Sequence, residues 1–254
     1  MFPDSSLPHL VREHFSSVFH KNGKGILTLP KGGTVTTWSM FSNHDPETWK
    51  NSLEYVNDAL YYYSLWNGDY PYKHMTAVDG ALSAGAGMEY PNITVVSGGG
   101  DTSSLETVIM HEVGHNWFYG MLASNEREHA WMDEGLNSMN ENRYMQTKYP
   151  DALLLPNVKG IFAKALDLEG TSHKDQGYLL YLAAMRANSD QPVELPAAEF
   201  SSMNYGGIVY GKAALLFGYL QAYLGEELYD EAMQTYFERW NFKHPQPEDL
   251  RAVL

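Results

Sequence analysis

The five residues His111-Glu112-Val113-Gly114-His115 restrict this chain more than any other stretch, and 18 residues separate His115 from Glu134 in Trp131-Met132-Asp133-Glu134-Gly135. Two histidines four apart on a helix sit one turn from each other on the same face. Their imidazole nitrogens can hold one small cation, with a third ligand supplied from elsewhere. The intervening Glu112 leans toward the same place and can handle a proton. A bare H-E-x-x-H arises by accident in roughly one chain in a hundred of this length. The spaced Glu134 lifts the pattern above that background, and the reading is a zinc hydrolase. His111, His115 and Glu134 are the expected ligands of one Zn2+ per chain, with water in the fourth position at a pKa near ~7. Glu112 is the expected general base, accepting that water's proton and passing it to the leaving amine.

The bulk of the chain agrees with an enzyme and excludes other classes. At 254 residues there is room for one large domain or two smaller ones. Hydrophobic residues are 44% and charged residues 19%, which suits a globular protein rather than a disordered one. The net charge of −14 argues against a nucleic-acid partner and could favour substrates with a free amino group. There is no cysteine, so disulfides and thiolate metal sites are ruled out. No run reaches the ~18 apolar residues of a membrane span. The compartment is not legible, a periplasmic or secreted bacterial setting being one expectation.

Hydrophobic periodicity orders the elements. Asn22-Gly23-Lys24-Gly25 reads as a turn, and Ile26 to Phe41 as two strands flanking a turn at Pro30 to Gly33. Asp45-Pro46 opens a helix that runs to about Trp66. Strands are expected over Lys73 to Asp79 and Asn92 to Ser97. Gly98-Gly99-Gly100 precedes the metal-motif helix, for which Ser103 and Glu106 offer a capping box. A second helix, from about His129 to Lys148, carries Glu134 in its first third. Residues 151–204 are helical by composition but interrupted. Two more helices follow, one from Gly206 to Leu224 and another through Leu228 and Trp240. Strands first and helices second argue an α+β fold, with two lobes and a cleft between them.

Two further positions could serve the same chemistry. Glu89 lies in Gly85-Ala86-Gly87-Met88-Glu89-Tyr90, where small residues beside a carboxylate would let a peptide backbone approach while the charge pairs with an ammonium. Tyr210 could donate a hydrogen bond to a developing oxyanion. Tyr205 and Tyr210 are five apart, so on one continuous α-helix they would point about 140° away from each other. The Gly206-Gly207 pair therefore suggests that Tyr205 sits in a loop entering the helix that bears Tyr210.

Taken together these blocks resemble the gluzincin zinc aminopeptidases, of the aminopeptidase N and leukotriene hydrolase type. The zinc motif with its Trp-x-x-Glu-Gly context matches, Ala86-Gly87-Met88-Glu89 resembles that family's Gly-x-Met-Glu-Asn exopeptidase motif, and Tyr205 with Tyr210-Gly211-Lys212 resembles its Tyr-Glu-Lys-Gly segment. Their order and approximate spacing fit from about residue 33 to 254. The resemblance implies a thermolysin-like catalytic domain over 33–254, a mixed β-sheet lobe followed by a helical lobe. Residues 1–32 would be an N-terminal segment left from a preceding β domain. It further implies that Tyr210 stabilises the oxyanion and that Glu89, with Gly87, Met88 and Tyr205, binds a peptide substrate through its free amino terminus. Other domains of a longer polypeptide would complete the protein. Four positions depart from the pattern: Ala86 for the first Gly and Tyr90 for the Asn of the exopeptidase motif, Asp133 where Asn is common, and Gly211 for a Glu. Tyr90 bears on how tightly the amino terminus is held, and the flanking domains that in the resemblance close over the cleft lie outside this sequence, which keeps two alternatives open. One is a zinc endopeptidase with a structural Glu89; the other is a catalytically weak peptide-binding module.

Overall fold

The structure, a computed structural model, describes residues 21–42, 45–82, 86–97, 100–154, 159–165 and 168–254. Residues 1–20, most of the expected N-terminal segment, lie outside the described residues, as do Gly85, Gly98, Gly99 and Pro156. The chain divides into two compact units: residues up to Tyr61 with Asp69–Val113, and Tyr62–Gly68 with Gly114–Leu254. The strands fall in the first and most of the helix in the second, as an α+β chain requires.

The first unit is built on a five-stranded mixed sheet in the order β1-β2-β3-β5-β4. Strands β1 (Lys21–Thr28) and β2 (Thr34–Phe41) form an antiparallel hairpin, with Lys21 opposite Phe41 and Thr28 opposite Thr34. β3 (His74–Asp79) runs parallel to β2, β5 (Ile93–Val96) runs parallel to β3, and the short β4 (Gly87–Met88) closes the sheet antiparallel to β5. Along β2 the buried positions alternate through Val35, Thr37, Ser39 and Phe41, the period of two that puts one face on a core. Asp45 caps α1 (Pro46–Trp49) through Thr48 N, as the Asp-Pro pair suggested. Trp49 is buried and stacks on Phe41 with ring centroids 5.9 Å apart.

One expectation fails in this unit. Asn22 to Gly25 is strand, not turn. The glycines at 23 and 25 share one face of β1, and a side chain on either would press against α2 (Ser52–Asn67). A Cβ at Gly23 would lie 3.2 Å from Leu53, and one at Gly25 would lie 2.8 Å from Thr37 Oγ1 and 3.6 Å from Asn57. The glycines are there for space rather than for a turn. The pairing of β1 with β2 also joins residues on either side of position 33 in one sheet.

The second unit is helical. Its main elements are α4 (Glu134–Lys148), α6 (Asp175–Arg186), α8 (Ala213–Leu224) and α9 (Glu226–Trp240), with α5 (Ile161–Ala165), α7 (Ser202–Asn204) and α10 (Pro247–Arg251) as short pieces. Two segments, Asn116–Leu122 and Tyr205–Lys212, are π-helical. The core gathers Trp117, Phe118, Leu136, Met139, Ile208, Tyr229, Met233 and Phe237, all buried. Arg143 ties α4 to α9 with paired hydrogen bonds to Asp230 at 2.6 and 2.9 Å. Its guanidinium also lies 4.3 Å from the centroid of Trp66, so one half-buried cation serves both a carboxylate and an aromatic face. Among the described residues, no helix is long and apolar enough to cross a membrane.

Candidate metal centre

The metal motif lies on α3 (Thr102–His115), buried on one side through Leu105, Ile109 and Val113. Its cap is Asp101 and not the expected Ser103–Glu106 box. Asp101 Oδ1 accepts from Ser104 N and from Ser104 Oγ, each at 2.8 Å, and these bonds hold its carboxyl below the usual range. Glu106 is buried. A charged acceptor at the positive end of the helix dipole outcompetes a neutral hydroxyl two residues on.

His115 is the last residue of α3, and its surroundings fix the role of each ring nitrogen. Nδ1 lies 2.8 Å from Asp133 Oδ1, and both side chains are 2% exposed. A carboxylate there accepts the Nδ1 proton and leaves Nε2 as a lone-pair donor. Nε2 in turn lies 3.4 Å from Glu134 Oε2. That separation is the edge of a tetrahedron with bonds of ~2.0–2.2 Å, the spacing of two ligands on one zinc ion. His111 is one turn earlier on the same helix, and its ring nitrogen, one from His115 and an oxygen of Glu134 lie within 4.8 Å of one another. Two imidazoles and a carboxylate that already converge suit zinc.

Glu134 opens α4 rather than sitting in the body of a helix begun at His129. A turn of 3-10 helix over Ala130–Met132 comes first and delivers it. The next residue, Gly135, lets the start of α4 touch the Tyr205–Lys212 segment: a Cβ there would lie 2.5 Å from Ala213 Cβ and 3.1 Å from Val209 O. That contact brings the Tyr210 hydroxyl into donating range of Glu134 Oε1. Burial, then the neighbouring Glu134 charge and that hydrogen bond, raise the Tyr210 pKa far above the ordinary phenol value, so it stays a donor.

The two tyrosines correct the helical reading. Tyr205 is the first residue of the π-helical segment and not part of a loop, and its ring meets that of Tyr210 edge-on with centroids 5.8 Å apart. In a π-helix the amide of residue i+5 bonds to the carbonyl of residue i, so side chains five apart lie one turn from each other. The 140° divergence expected of an α-helix does not occur.

Glu112, 6% exposed, faces β4. A Cβ at Gly87 would fall 2.3 Å from the Glu112 carboxyl, so only glycine lets the strand pass that close. Glu89, half-buried, follows the strand and has a carboxylate oxygen within 4.8 Å of one from Glu112. Met88 is 37% exposed, while its carbonyl accepts from Thr94 Oγ1 at 2.9 Å. The expected residues thus form overlapping groups: His111 with His115 and Glu134, Glu134 with Tyr210 and Tyr205, and Glu112 with Gly87 and Glu89. Asp133, read in the sequence only as a departure, proves to be the partner of His115. Its position directly before Glu134 was the available signal.

Comparison with known proteins adds an independent line. A family model described as "Peptidase family M1 domain" matches residues 51–254. Aminopeptidase M1-D of Oryza sativa subsp. japonica is 24% identical over 149 residues, which cover 58% of this chain and 15% of that protein. Human Aminopeptidase Q is 23% identical over 143 residues, covering 56% of this chain and 13% of its own length. Among solved structures, an M1 zinc metallopeptidase from Deinococcus radiodurans matches with a TM-score of 0.64 at 14% identity, over 92% of this chain and 47% of that one. The chain therefore spans about half of that structure and a small part of the curated relatives. Since the family model covers most of its length, metal motif included, the chain belongs to peptidase family M1.

Proposed function

We propose that this chain forms the catalytic part of a zinc aminopeptidase that removes residues from the amino end of peptides. The observation that carries this reading is the convergence of His111, His115 and Glu134 beside a buried Glu112. His111 Nε2 or Nδ1, His115 Nε2 and a Glu134 oxygen would hold the zinc, with Asp133 fixing the His115 ring. A zinc ion there supplies Lewis acidity, polarising a carbonyl and bringing the pKa of water toward ~7.

The remaining steps belong to side chains and backbone. β4 lies at the edge of the sheet, and an extended peptide can pair with such an edge through its main chain. Gly87 brings that edge against Glu112, which places a carbonyl of the peptide near the base. Glu112 accepts a proton from the attacking water and returns it to the leaving amine. Tyr210 donates its hydroxyl proton in a hydrogen bond to the carbonyl oxygen as negative charge develops, exchanging Glu134 for that acceptor. Glu89, two residues past Gly87, pairs with the substrate's ammonium in this reading, and Met88 and Tyr205 flank the peptide.

Replacing Glu112 with Gln should abolish hydrolysis of aminoacyl anilides while zinc content stays at one per chain. Retained turnover in that variant would remove Glu112 from the mechanism. Cleavage of a free-amine peptide is to be compared with that of its acetylated twin: loss of cleavage on acetylation supports an exopeptidase, and equal cleavage makes the chain an endopeptidase.

A further inference from the structure

The 3-10 turn over Ala130–Met132 delivers both Asp133 and Glu134, and three ties hold it and the residues just before it to a distant stretch of chain. Trp131 Nε1 donates to Glu194 Oε2 at 2.7 Å, and His129 Nδ1 lies 2.6 Å from Glu194 Oε1. Ala197 N donates to Arg127 O, also at 2.7 Å. One carboxylate thus reaches the residues on either side of Ala130 with its two oxygens. Ala130, Met132 and Asp133 are at most 2% exposed, so burial grips the turn on one side and Glu194 on the other. The Trp131 ring also stacks on Phe217 of α8, centroids 6.1 Å apart, which fixes the indole that carries the donor.

Glu194 is itself 50% exposed, and an exposed carboxylate on a slack loop gains little from such contacts. Its loop is not slack. Gln191 Nε2 donates to Glu199 O at 2.9 Å, and Gln191 Oε1 accepts from Ser201 N at 2.9 Å and from Asn204 Nδ2 at 2.8 Å. Asn204, 2% exposed, donates as well to Ser189 O at 2.6 Å. Residues 189–204 therefore form a loop joined at its ends, and Glu194 projects from an already ordered backbone. A metal ligand has to stand within ~0.5 Å of its working position. Any rotation of the Ala130–Met132 turn would shift Glu134 and the partner of His115 together.

We propose that Glu194 is a positioning residue of the metal centre. By holding Trp131 and His129 it sets the turn that presents Asp133 to His115 and Glu134 to the metal. The tryptophan of the Trp-x-x-Glu-Gly segment thereby acts through its N–H as well as its ring. The proposal rests on the zinc reading of His111, His115 and Glu134.

The test measures zinc affinity by competition with a chromogenic chelator, beside the Tm of the metal-free protein. Glu194→Ala should weaken zinc binding about fivefold, below the ~10- to 100-fold of a residue that holds a ligand directly. Glu194→Gln keeps one acceptor oxygen and should fall between Glu194→Ala and wild type; it also carries the comparison if Glu194→Ala does not fold. Trp131→Phe keeps a ring on Phe217 but removes the donor, so its loss combined with that of Glu194→Ala should be less than additive. Co2+ in place of zinc has visible bands that follow ligand geometry, and Glu194→Ala should shift them. A purely structural tie would lower the Tm of the metal-free protein and leave zinc affinity and the cobalt bands unchanged. That result, or strictly additive losses, overturns the proposal. Wild-type protein that takes up no zinc overturns the metal centre itself, and the positioning role with it.

Discussion

His115 Nδ1 and Asp133 Oδ1 are 2.8 Å apart, in a place where both side chains are almost fully withdrawn from solvent. The carboxylate fixes the ring's tautomer and its rotation, and it increases the basicity of Nε2. An asparagine could accept the same proton but would bring no negative charge. Asp133→Ala should therefore weaken zinc binding by about 10- to 100-fold, and Asp133→Asn by less. Competition with a chromogenic chelator measures both. Unchanged affinity in Asp133→Ala would make the pair a packing feature rather than part of the metal centre.

Gly114, inside the metal motif, is tested by adding one methyl group. A Cβ at this position would lie 2.0 Å from Asn137 Oδ1 and 2.2 Å from the Tyr63 hydroxyl. These two groups are themselves joined, Tyr63 donating to Asn137, so neither has room to retreat. Alanine in a helix normally gains about 0.5–1 kcal/mol over glycine, whereas overpacking costs about 1–3 kcal/mol. The clash should win. Gly114→Ala is expected to lower Tm by several degrees, at about 2–4 °C per kcal/mol for a chain of this size. A Tm equal to or above that of wild type would show that Tyr63 and Asn137 can move.

Much of the site was legible because its chemistry demands fixed spacing. His111 and His115 had to share a helix face, and Glu134 had to arrive from a second helix; both are found. Gly87 and Glu89 both lie beside Glu112, one making room for its carboxyl and the other near it, a relationship their spacing in the sequence did not express. What escaped the sequence depends on packing rather than pattern. Nothing in Tyr205 to Lys212 separates an i+4 from an i+5 hydrogen-bond register, yet that choice decides whether the two tyrosines meet. The glycines of β1 carry the local signature of a turn, and only the approach of Leu53 and Asn57 reveals why a strand has them. The cap expected at Ser103 is instead Asp101, two residues earlier, because a charged acceptor suits the helix start better than a hydroxyl.

Contact between the Tyr205 and Tyr210 rings changes what their substitutions should show. Tyr210 places its hydroxyl on a Glu134 oxygen, whereas Tyr205 meets it through ring packing, which phenylalanine preserves. Tyr210→Phe should therefore lower kcat by at least ~10²-fold with KM little changed, the usual cost of one oxyanion donor. Tyr205→Phe should cost clearly less, and Tyr205→Ala more than Tyr205→Phe because it removes the ring that braces Tyr210. Steady-state kinetics of the three variants on one anilide checks this. A larger loss for Tyr205→Phe than for Tyr210→Phe would reassign the catalytic phenol.

Alkaline pH gives a test of the core that does not involve the metal. Burial raises the phenol pKa values of Tyr70, Tyr229 and Tyr236 above the ordinary 10; Tyr72 adds to the effect at Tyr70 and Asp249 at Tyr236, while at Tyr229 Arg143 opposes it and Asp230 adds a smaller push upward. The fold favours the neutral form of each, while the unfolded chain ionises at about 10. Their contribution to stability is thus fully present below pH ~10 and is lost as pH rises above it, by up to about 1.4 kcal/mol per pH unit for each phenol. Urea midpoints should hold steady from pH 8 to about 9.5 and fall steeply toward pH 11. Tyr229→Phe removes one of these groups, so its stability should start lower, because a buried hydroxyl is lost, yet decline less steeply above pH 10. Parallel curves for the variant and the wild type would show that Tyr229 ionises equally in the folded and unfolded chains, against its burial at 2% exposure.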